Sequence, residues 1–264
     1  MSPGLSELPV AVLSMEQLVI HIPGRRAGME LECRIEAGQC WGILGPNGTG
    51  KTTLLHTLAG LRPPRSGRIW IEDRLLTQLS RRQIARKLGL LFQQQQDEFP
   101  ATVLETALIG RHPYLRVWEL ESETDHRSAW HALERLDLTS LAQRSVQTLS
   151  GGERQRLALS TLLAQDPALW LLDEPTNHLD LHHQIAVLAL IQQEVAQGRA
   201  AVMALHDINL AARFCTHVLL LFADGSACWG PVDTMLVTAA LERLYQQPLA
   251  TAVIDGWRVF IPKS

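Results

Sequence analysis

The stretch Gly45-Pro46-Asn47-Gly48-Thr49-Gly50-Lys51-Thr52 matches the spacing G-x-x-x-x-G-K-S/T at every fixed position. It follows the apolar segment Cys40–Leu44, which is typical of a buried strand, and precedes the apolar-periodic segment Thr52–Leu61, which predicts a helix. Glycines let such a loop curl so that its backbone N–H groups point inward, and the helix N-terminus adds partial positive charge. The stretch therefore predicts a triphosphate site between a strand and a helix.

The positions of this loop have separate expected roles. Lys51 is expected to reach the β- and γ-phosphates of the nucleotide, and the Thr52 hydroxyl to ligate Mg²⁺. A glycine-rich turn with a chance lysine is the alternative, which the flanking strand and helix disfavour. The residues expected to contact ATP here are Gly45, Pro46, Asn47, Gly48, Thr49, Gly50, Lys51, Thr52 and Thr53.

A second apolar segment, Leu169–Leu172, ends in two acidic residues, Asp173 and Glu174. A carboxylate at the C-terminal tip of a strand faces the ligand crevice of an open parallel sheet. Asp173 suits a contact with Mg²⁺ through water, and Glu174 suits the polarisation of the attacking water. Standing alone, the two acids would fit a solvated strand end equally well. The phosphate loop favours the functional interpretation.

Strand and helix patterns alternate on both sides of a purely helical stretch. Between Thr102 and Ala164 leucines recur at helical spacing and strand signals are absent. After Pro167 strand and helix patterns alternate, which argues for a parallel sheet covered on both faces. The predicted elements include helices at Ser80–Lys87, Leu181–Ala196 and Ile208–Phe214, strands at Leu18–Ile22, Met29–Ile35, Gly67–Ile71, Leu88–Phe92 and Ala200–Leu205, and a hairpin over Ala250–Ile261 turning at Asp255-Gly256.

Composition excludes several classes of protein. The 264 residues carry a net charge of -3, which leaves no basic footprint for nucleic acid. The four cysteines form no C-x-x-C pair, which argues against a zinc or disulfide framework. Residues 1–13 lack the pattern of a secretory signal, and apolar runs such as Val218–Ala223 are too short to cross a bilayer. If the protein works at a membrane, we expect another chain to supply the spans.

The stretch Leu149-Ser150-Gly151-Gly152-Glu153, followed by Arg154-Gln155-Arg156, argues against a kinase or a GTPase. Here the chain resembles the ATP-binding cassette (ABC) ATPase family, whose signature this is, and the resemblance covers nearly the whole chain. It implies an α/β fold: a P-loop NTPase core with a mostly parallel sheet, an antiparallel β subdomain and an inserted helical subdomain. We expect one domain over 1–264, with the core and its antiparallel part at 1–93 and 165–264 and the helical subdomain at 94–164.

The signature also implies a dimer. Ser150, Gly151, Gly152 and Glu153 open a helix, which makes a second N-terminus able to bind phosphate. One chain cannot present both helix ends to one γ-phosphate, because the helical subdomain holds the second one away. The family's arrangement is a head-to-tail homodimer with two ATP molecules sandwiched between phosphate loop and signature. A simple helix cap would explain Ser150 but not both glycines.

The resemblance assigns further positions. Gln93 matches the Q-loop glutamine, which touches Mg²⁺ and water and senses the membrane partner. Asp180 lies in the D-loop region, which communicates across the dimer, and His206 matches the switch histidine that contacts the γ-phosphate. Thr52, Gln93 and Asp173 are the positions expected to hold Mg²⁺, and Glu174, His206 and Gln93 are those expected to act in catalysis.

Two histidine features remain. By strand order His21 occupies the place where the family usually has an aromatic residue that stacks on adenine, and imidazole stacks less strongly. His178, His182 and His183 cluster in sequence and have the residue types of a metal site. Consecutive helical positions diverge around the axis, so a loop and surface role is preferred for them.

Three kinds of ABC protein are compatible with the motifs: an importer subunit, an exporter half, and a soluble protein acting on ribosomes or DNA. The single cassette, the lack of sustained heptads and the lack of spans favour an importer subunit. Ile109-Gly110-Arg111-His112-Pro113-Tyr114 and Thr176–Leu181 resemble the group that imports cobalamin, haem and ferric siderophores. The alternatives are the ATPase of another ABC transporter and a non-transport ABC ATPase.

That resemblance implies partners and a location. We expect transmembrane permease subunits, a solute-binding protein in the full system, no nucleic acid, and a peripheral position on the cytoplasmic face of the inner membrane. The permease is expected to dock in a groove lined by Gln93–Pro100 and Gly110–Leu115. Phe99, Tyr114 and Leu115 are the expected anchors there.

Overall fold

The computed structural model describes residues 11–22, 28–93 and 100–263. Its strands are β1 (Ala11–Val19), β2 (Leu31–Glu36), β3 (Cys40–Leu44), β4 (Ser66–Ile71), β5 (Arg74–Leu75), β6 (Leu88–Leu91), β7 (Leu169–Asp173), β8 (Ala200–Ala204), β9 (His217–Leu221), β10 (Ala227–Pro231), β11 (Leu249–Ile254) and β12 (Trp257–Pro262). Its helices are α1 (Lys51–Leu58), α2 (Arg81–Lys87), α3 (Val103–Leu108), α4 (Glu123–Glu134), α5 (Gly151–Gln165), α6 (Leu181–Ala196), α7 (Ile208–Phe214), α8 (Val232–Met235) and α9 (Thr238–Tyr245).

A mostly parallel sheet forms the centre of the described part of the chain, with strand order β10-β9-β3-β8-β7-β6. Only β10 runs antiparallel to its neighbour in this sheet. Its strands are continuous apolar runs because both faces are buried. In β7, for example, Leu169 and Leu171 pack into one hydrophobic cluster and Trp170 and Leu172 into the other. Parallel pairing brings the carboxyl ends of β3, β6, β7 and β8 to one edge of the sheet.

An antiparallel sheet of order β2-β1-β4-β5 lies beside the central one. Leu13, Leu18 and Ile71 from this sheet share a buried cluster with Leu54 and Leu58 of α1. The α/β fold with a mostly parallel sheet and an antiparallel sheet is therefore confirmed. Packing against the antiparallel sheet therefore holds α1 in place behind the loop that precedes it.

Helices α3, α4 and α5 form the inserted helical part, within the predicted segment 94–164 except for the last residue of α5. Each begins with a capping box, in which a Ser or Thr and an acidic residue three positions on satisfy each other's backbone N–H. The described residues of the segment contain an isolated bridge between Thr102 and Ser145 and no named strand.

A cluster around Tyr114 joins the helical part to the core. From α2, the Arg82 and Arg86 side chains donate hydrogen bonds to the Pro113 carbonyl at 2.9 and 2.8 Å. The Tyr114 hydroxyl donates to the Gln165 carbonyl at 2.9 Å, and the Arg86 guanidinium lies 5.4 Å from the Tyr114 ring centroid. Tyr114 therefore serves a contact within this chain.

The end of the described chain forms the predicted hairpin. Strand β11 pairs antiparallel with β12, and Ile254 faces Trp257 across the turn. Both turn residues have positive φ, 50° at Asp255 and 80° at Gly256, which is the conformation that a two-residue type I′ turn requires. Within the described residues, no helix has both the length and the apolar content needed to cross a bilayer.

Candidate active site

A cavity of about 540 Å³ opens at the carboxyl edge of the central sheet. Its walls come from five separate segments, four of which follow strands of the central sheet that parallel pairing brings together. They are Ile22, Asn47, Gly48, Gly50, Lys51, Thr52, Thr53, Gln93, Glu174 and His206. Most of the predicted ATP-contacting residues and all three predicted catalytic residues line this one space.

The phosphate loop wraps the start of α1. Gly48 and Gly50 have φ of 77° and 103°, conformations that glycine adopts without steric cost. A Cβ on Gly50 would also lie 2.5 Å from the end of the Ile22 side chain, so a larger residue would have to displace that side chain. Gly50 is the N-cap of α1 and no side chain caps this helix end. Its first backbone N–H groups therefore face the cavity and suit an anion.

Lys51 is buried beside this loop. Its ammonium donates a hydrogen bond to the Gly45 carbonyl at 2.7 Å. Burial lowers the pKa of Lys51, and the carboxylates of Glu174 and Asp173 oppose that shift. The loop thus holds the Lys51 ammonium next to the start of α1. Gly45, Pro46 and Thr49 belong to the loop but do not line the cavity.

Asp173 is buried at the tip of β7, where it is 1% exposed. Neither of its carboxylate oxygens has a hydrogen-bond partner among the described residues. Burial raises the pKa of Asp173, and the nearby Thr52 side chain opposes that rise. Unsatisfied carboxylate oxygens beside a hydroxyl are a donor set that fits Mg²⁺, a hard cation that prefers oxygen ligands.

Glu174 follows Asp173 and turns its carboxylate into the cavity. Its Oε1 lies 2.6 Å from His206 Nε2, and its Oε2 accepts a hydrogen bond from the Asn177 side-chain amide. Burial alone would raise the pKa of Glu174, but interactions with His206, Gln93 and Asn177 outweigh burial and lower it. The group is therefore ionised near neutral pH and able to accept a proton from water.

The signature residues lie apart from this cavity. Ser150 caps α5: its hydroxyl accepts from the Glu153 N–H at 3.2 Å, and the Glu153 carboxylate accepts from the Ser150 N–H at 2.7 Å. Hydrogen bonds that the Ser150 backbone N–H and side chain donate to the Glu153 carboxylate lower the pKa of Glu153. Ser150 and Gly151 are exposed, and none of residues 150–153 is among the cavity's walls.

Asp180 and the nearby histidines also lie outside the cavity. Asp180 caps α6 by accepting from the His183 N–H at 2.9 Å, and the His183 ring nitrogen lies 2.8 Å from the same oxygen. The rings of His182 and His183 meet edge to face at 5.4 Å. Across the described ranges no group of three or more His, Cys, Asp or Glu is arranged to hold a metal ion.

His21 is exposed and is not among the residues that line the cavity, whereas its neighbour Ile22 is. Ile22 also lines a second cavity of about 420 Å³, together with Ile20, Met29, Leu31 and Thr49. Residues 23–27 lie outside the described residues, so the place predicted for His21 against adenine stays a prediction. Sequence reasoning gave Ile22 no role, because an aliphatic residue carries no stacking signal.

Asn177 is the other site residue without a predicted role. It belongs to the D-loop stretch, but its position in that stretch does not predict its hydrogen bond with Glu174. The hydrogen bond to Glu174 appears only when the chain turns back on itself after β7.

Comparison with known proteins places these features in a family. The family model described as ABC transporter matches residues 29–177. The hemin import ATP-binding protein of Nocardia farcinica is 40% identical over 227 residues, covering 86% of this chain and 78% of that protein. The ferric enterobactin transport ATP-binding protein of Escherichia coli is 35% identical over 237 residues, covering 89% and 88%.

A solved structure gives the same picture. A protein assigned as a metal-chelate type ABC transporter, in an inward-facing conformation, superposes with a TM-score of 0.85 at 28% identity. The match covers 96% of this chain and 98% of that chain.

Proposed function

This chain belongs to the ABC transporter family of ATP-binding proteins, and we propose that it is the ATPase subunit of an importer for a metal chelate: haem, a ferric siderophore or cobalamin. ATP binding and hydrolysis are the activity of this family. The cavity that joins the phosphate loop to Gln93, Glu174 and His206 is the observation that supports the assignment of the site. The printed functions of the relatives support the class of solute.

Nucleotide binding would draw on groups that are already in place. The uncapped start of α1 presents backbone N–H groups to the phosphates. The Lys51 ammonium exchanges its bond with the Gly45 carbonyl for the β- and γ-phosphates. Thr52, Asp173 and Gln93 would hold Mg²⁺, which when bound supplies positive charge to the β- and γ-phosphate oxygens.

Hydrolysis would use the pair of groups on the opposite wall. Glu174, kept ionised by its hydrogen bonds, orients the attacking water and accepts its proton. His206 lies 2.6 Å from Glu174 and is half-exposed to the cavity, which suits it to contact the γ-phosphate. In this arrangement the carboxylate and the phosphate loop line the same cavity of about 540 Å³.

A homodimer would complete the site. The signature helix end lies away from the cavity of its own chain, so a second chain must supply it. In a head-to-tail pair, Ser150–Glu153 of one chain would face the phosphate loop of the other. Closing this dimer on ATP and reopening it after hydrolysis would move the attached membrane subunits.

The permease contact is proposed for the outer end of the groove between core and helical part. Phe99, one expected anchor, lies outside the described residues. Tyr114, another, donates its hydroxyl hydrogen bond to the Gln165 carbonyl of the same chain. Beyond Tyr114 the chain exposes Val117, Trp118 and Leu120, with Trp118 96% exposed. We expect this tip to contact the cytoplasmic surface of the permease, which would hold the chain at the inner membrane face.

Uptake measurements in the source organism test the transport function. Replacing the chromosomal copy by a Glu174→Gln variant should abolish uptake of one of the three solutes while leaving the other two unchanged. Restoring the natural gene is the control. Normal uptake of haem, ferric siderophores and cobalamin in that strain would contradict the proposal and leave an exporter or a non-transport ATPase as the alternative. Copurifying chains would identify the permease and any solute-binding protein.

A further inference from the structure

One face of the hairpin formed by β11 and β12 carries apolar side chains alone. In an antiparallel pair, residues directly opposite each other share a face, and the faces alternate along each strand. The pairs on this outer face are Ala250 with Ile261, Ala252 with Val259, and Ile254 with Trp257. Ile254 is 53% exposed, Trp257 49% and Ile261 46%. The described part of the chain therefore leaves the outer face open.

The other face and both edges of the hairpin are already used within the chain. Leu249 and Phe260, on the other face, are each 3% exposed. At the edge of β12, the Asn209 side chain accepts from the Phe260 N–H at 2.8 Å and donates to its carbonyl at 3.2 Å. At the edge of β11, the Glu242 carboxylate accepts from the Leu249 N–H at 2.8 Å. Adding a strand at either edge would break these hydrogen bonds, whereas the outer face can be covered without breaking any.

The hairpin is attached to the element that follows the nucleotide cavity. Asn209 belongs to α7, whose N-cap Asp207 comes directly after His206 of the cavity wall. A smaller cavity of about 150 Å³ separates the start of α7 from the turn that follows Glu174. That turn begins in the wall of the nucleotide cavity and contacts the glycines at the start of α5.

These contacts place the hairpin beside the proposed homodimer contact. In a two-fold pair that joins the cavity of each chain to the α5 start of the other, the parts between those two features lie nearest the axis. The turn after Glu174 is such a part, and the start of α7 faces it. The hairpin, held to α7 through Asn209, continues that surface.

The chemistry of the outer face favours a second copy of this chain as its partner. The face carries no charged side chain with which an acidic or basic surface could pair. In a two-fold dimer the same patch of both chains meets, so the patch must be complementary to itself. An apolar sheet face meets this condition, because two sheets pack face to face about 10 Å apart through interdigitated side chains.

We propose that the outer faces of two hairpins pack together about the two-fold axis and keep two copies of this chain in contact when no nucleotide is bound. The inference rests on the homodimer proposed above and adds a contact away from both ATP sites. Its six side chains are fewer than the roughly 20–30 residues per side of a standard interface, so the nucleotide-free dimer dissociates on dilution. Within the transporter, this contact raises the effective concentration at which the two sites close on ATP.

Sedimentation velocity of the full chain without nucleotide, over a series of protein concentrations, tests this contact. Ile254→Lys combined with Ile261→Lys puts like charges on the outer face, and both positions are about half exposed, so the fold should be kept. We expect the natural chain to dimerise at high concentration. The Kd of that dimer should rise by about tenfold or more in the double variant, as when an interface hot spot is lost.

Val253→Lys is the matched control. Val253 is 71% exposed on the same strand but lies on the other face, so the Kd of the dimer should stay natural. ATP binding, measured by equilibrium titration, should be natural in every variant, because the outer face does not line the nucleotide cavity. This binding also shows that each variant is folded.

A cross-link tests the contact without charged variants. Ile254→Cys, oxidised with copper phenanthroline in the absence of nucleotide, should give a disulfide-linked dimer. Val253→Cys and the natural chain should not, because Val253 faces away from the partner and the natural cysteines are at least partly buried.

Several results would overturn the proposal. A natural chain that stays monomeric without nucleotide at every soluble concentration would do so, as would a double variant that dimerises as the natural chain does. If the natural chain is monomeric and only the double variant fails to copurify with the permease, the outer face belongs to the permease contact instead.

The ATP sandwich fails in a different way. Gly151→Asp, at the start of α5, should keep the nucleotide-free dimer and lose the dimer that ATP stabilises on dilution. A natural chain whose dimer never responds to ATP would refute the sandwich and leave the hairpin contact in place.

Discussion

Two helix starts in the described part of the chain are predicted to bind phosphate, and they are built in opposite ways. Helix α1 begins at Gly50 with no side-chain cap, beside the buried ammonium of Lys51 and inside a cavity. Helix α5 begins at Ser150 with a complete capping box through Glu153, on an exposed surface. The first end leaves its backbone donors for a ligand, whereas the second is satisfied within the folded chain. We propose that the first end binds an anion within a single chain and that the second does so only with a partner chain.

Removing the cation at the first helix end should have the largest effect. Lys51→Met keeps the length of the stem and removes the ammonium that would bind the phosphates. Losing a charge-assisted hydrogen bond costs about 1.5–3 kcal/mol, so we expect ATP affinity to fall by about tenfold to 100-fold and hydrolysis to become undetectable. Equilibrium binding of a fluorescent ATP analogue measures this. Lys87→Met, which removes the ion pair with Glu72, is the control and should bind normally.

A charge placed at the second helix end tests whether it binds phosphate in a dimer. Gly151→Asp puts a carboxylate in the first turn of α5, where the helix dipole favours it, so folding should not suffer. The like charge would repel a triphosphate from the partner chain. We expect ATP binding by the monomer to be unchanged. In a Glu174→Gln background, Gly151→Asp should prevent the ATP-dependent dimer. In a chain that keeps Glu174, it should lower the hydrolysis rate by about tenfold or more.

The control adds the same charge to the start of another capped helix. Thr124→Asp lies in the first turn of α4, and it should leave dimerisation and hydrolysis as they are in the natural chain. An ATP-dependent dimer of full strength with Gly151→Asp, seen by gel filtration, would show that the α5 end contacts no nucleotide.

We expect the buried carboxylate of Asp173, at the tip of β7, to serve hydrolysis while lowering the stability of the fold. Asp173 is buried with both oxygens unsatisfied and its pKa is raised, so its ionised form is unfavourable in the folded, nucleotide-free chain. Asp173→Asn should raise the free energy of unfolding by about 1–3 kcal/mol while abolishing hydrolysis. Calorimetry without nucleotide measures this.

The stability gained from Asp173→Asn should depend on pH in a definite direction. A raised folded-state pKa means that the cost of Asp173 is full at pH above that value and disappears as the pH falls through it. The gain in Tm from Asp173→Asn should therefore shrink on acidification. Glu153 is the opposite case: its pKa is lowered, so its contribution to stability is present above the unfolded pKa and is lost as the pH falls through the folded value. A lower Tm for Asp173→Asn at neutral pH would contradict the expectation.

The smallest expected effect concerns the base of the nucleotide. If His21 stacks on adenine, His21→Tyr should lower the KM for ATP by a few-fold, since a larger aromatic ring stacks more strongly and aromatic pairs are worth about 0.5–1.5 kcal/mol. Ile22→Ala is the companion variant, because Ile22 lines the cavity. An unchanged KM for His21→Tyr with a raised KM for Ile22→Ala would transfer the base contact to Ile22.

Continuous apolar segments with clear ends were predictable in position as well as in type. Strand Cys40–Leu44 and helices Leu181–Ala196 and Ile208–Phe214 have the predicted bounds. The strand is buried at every position, and the two helices have an aspartate as N-cap. The hairpin turn at Asp255-Gly256 was equally legible, because few dipeptides adopt positive φ twice.

Strands with an irregular alternation, or with glycine and proline, were harder to predict from the sequence. Strand β1 begins at Ala11, well before the predicted Leu18, because a register shift between Met15 and Leu18 interrupts its alternation. Strand β10 was not predicted, since Gly230 and Pro231 are residues that rarely form strands away from a sheet edge.

The sequence by itself determined the fold class, the phosphate loop, the two acids at the end of β7 and the signature, because each depends on residue type and spacing along the chain. Only the tertiary structure decided which groups touch: His206 and Asn177 on the two oxygens of Glu174, Ile22 against Gly50, and Tyr114 on the Gln165 carbonyl. The physical reason is the parallel sheet. It gathers the ends of strands that are far apart in the chain, and no local pattern records which side chains will meet there.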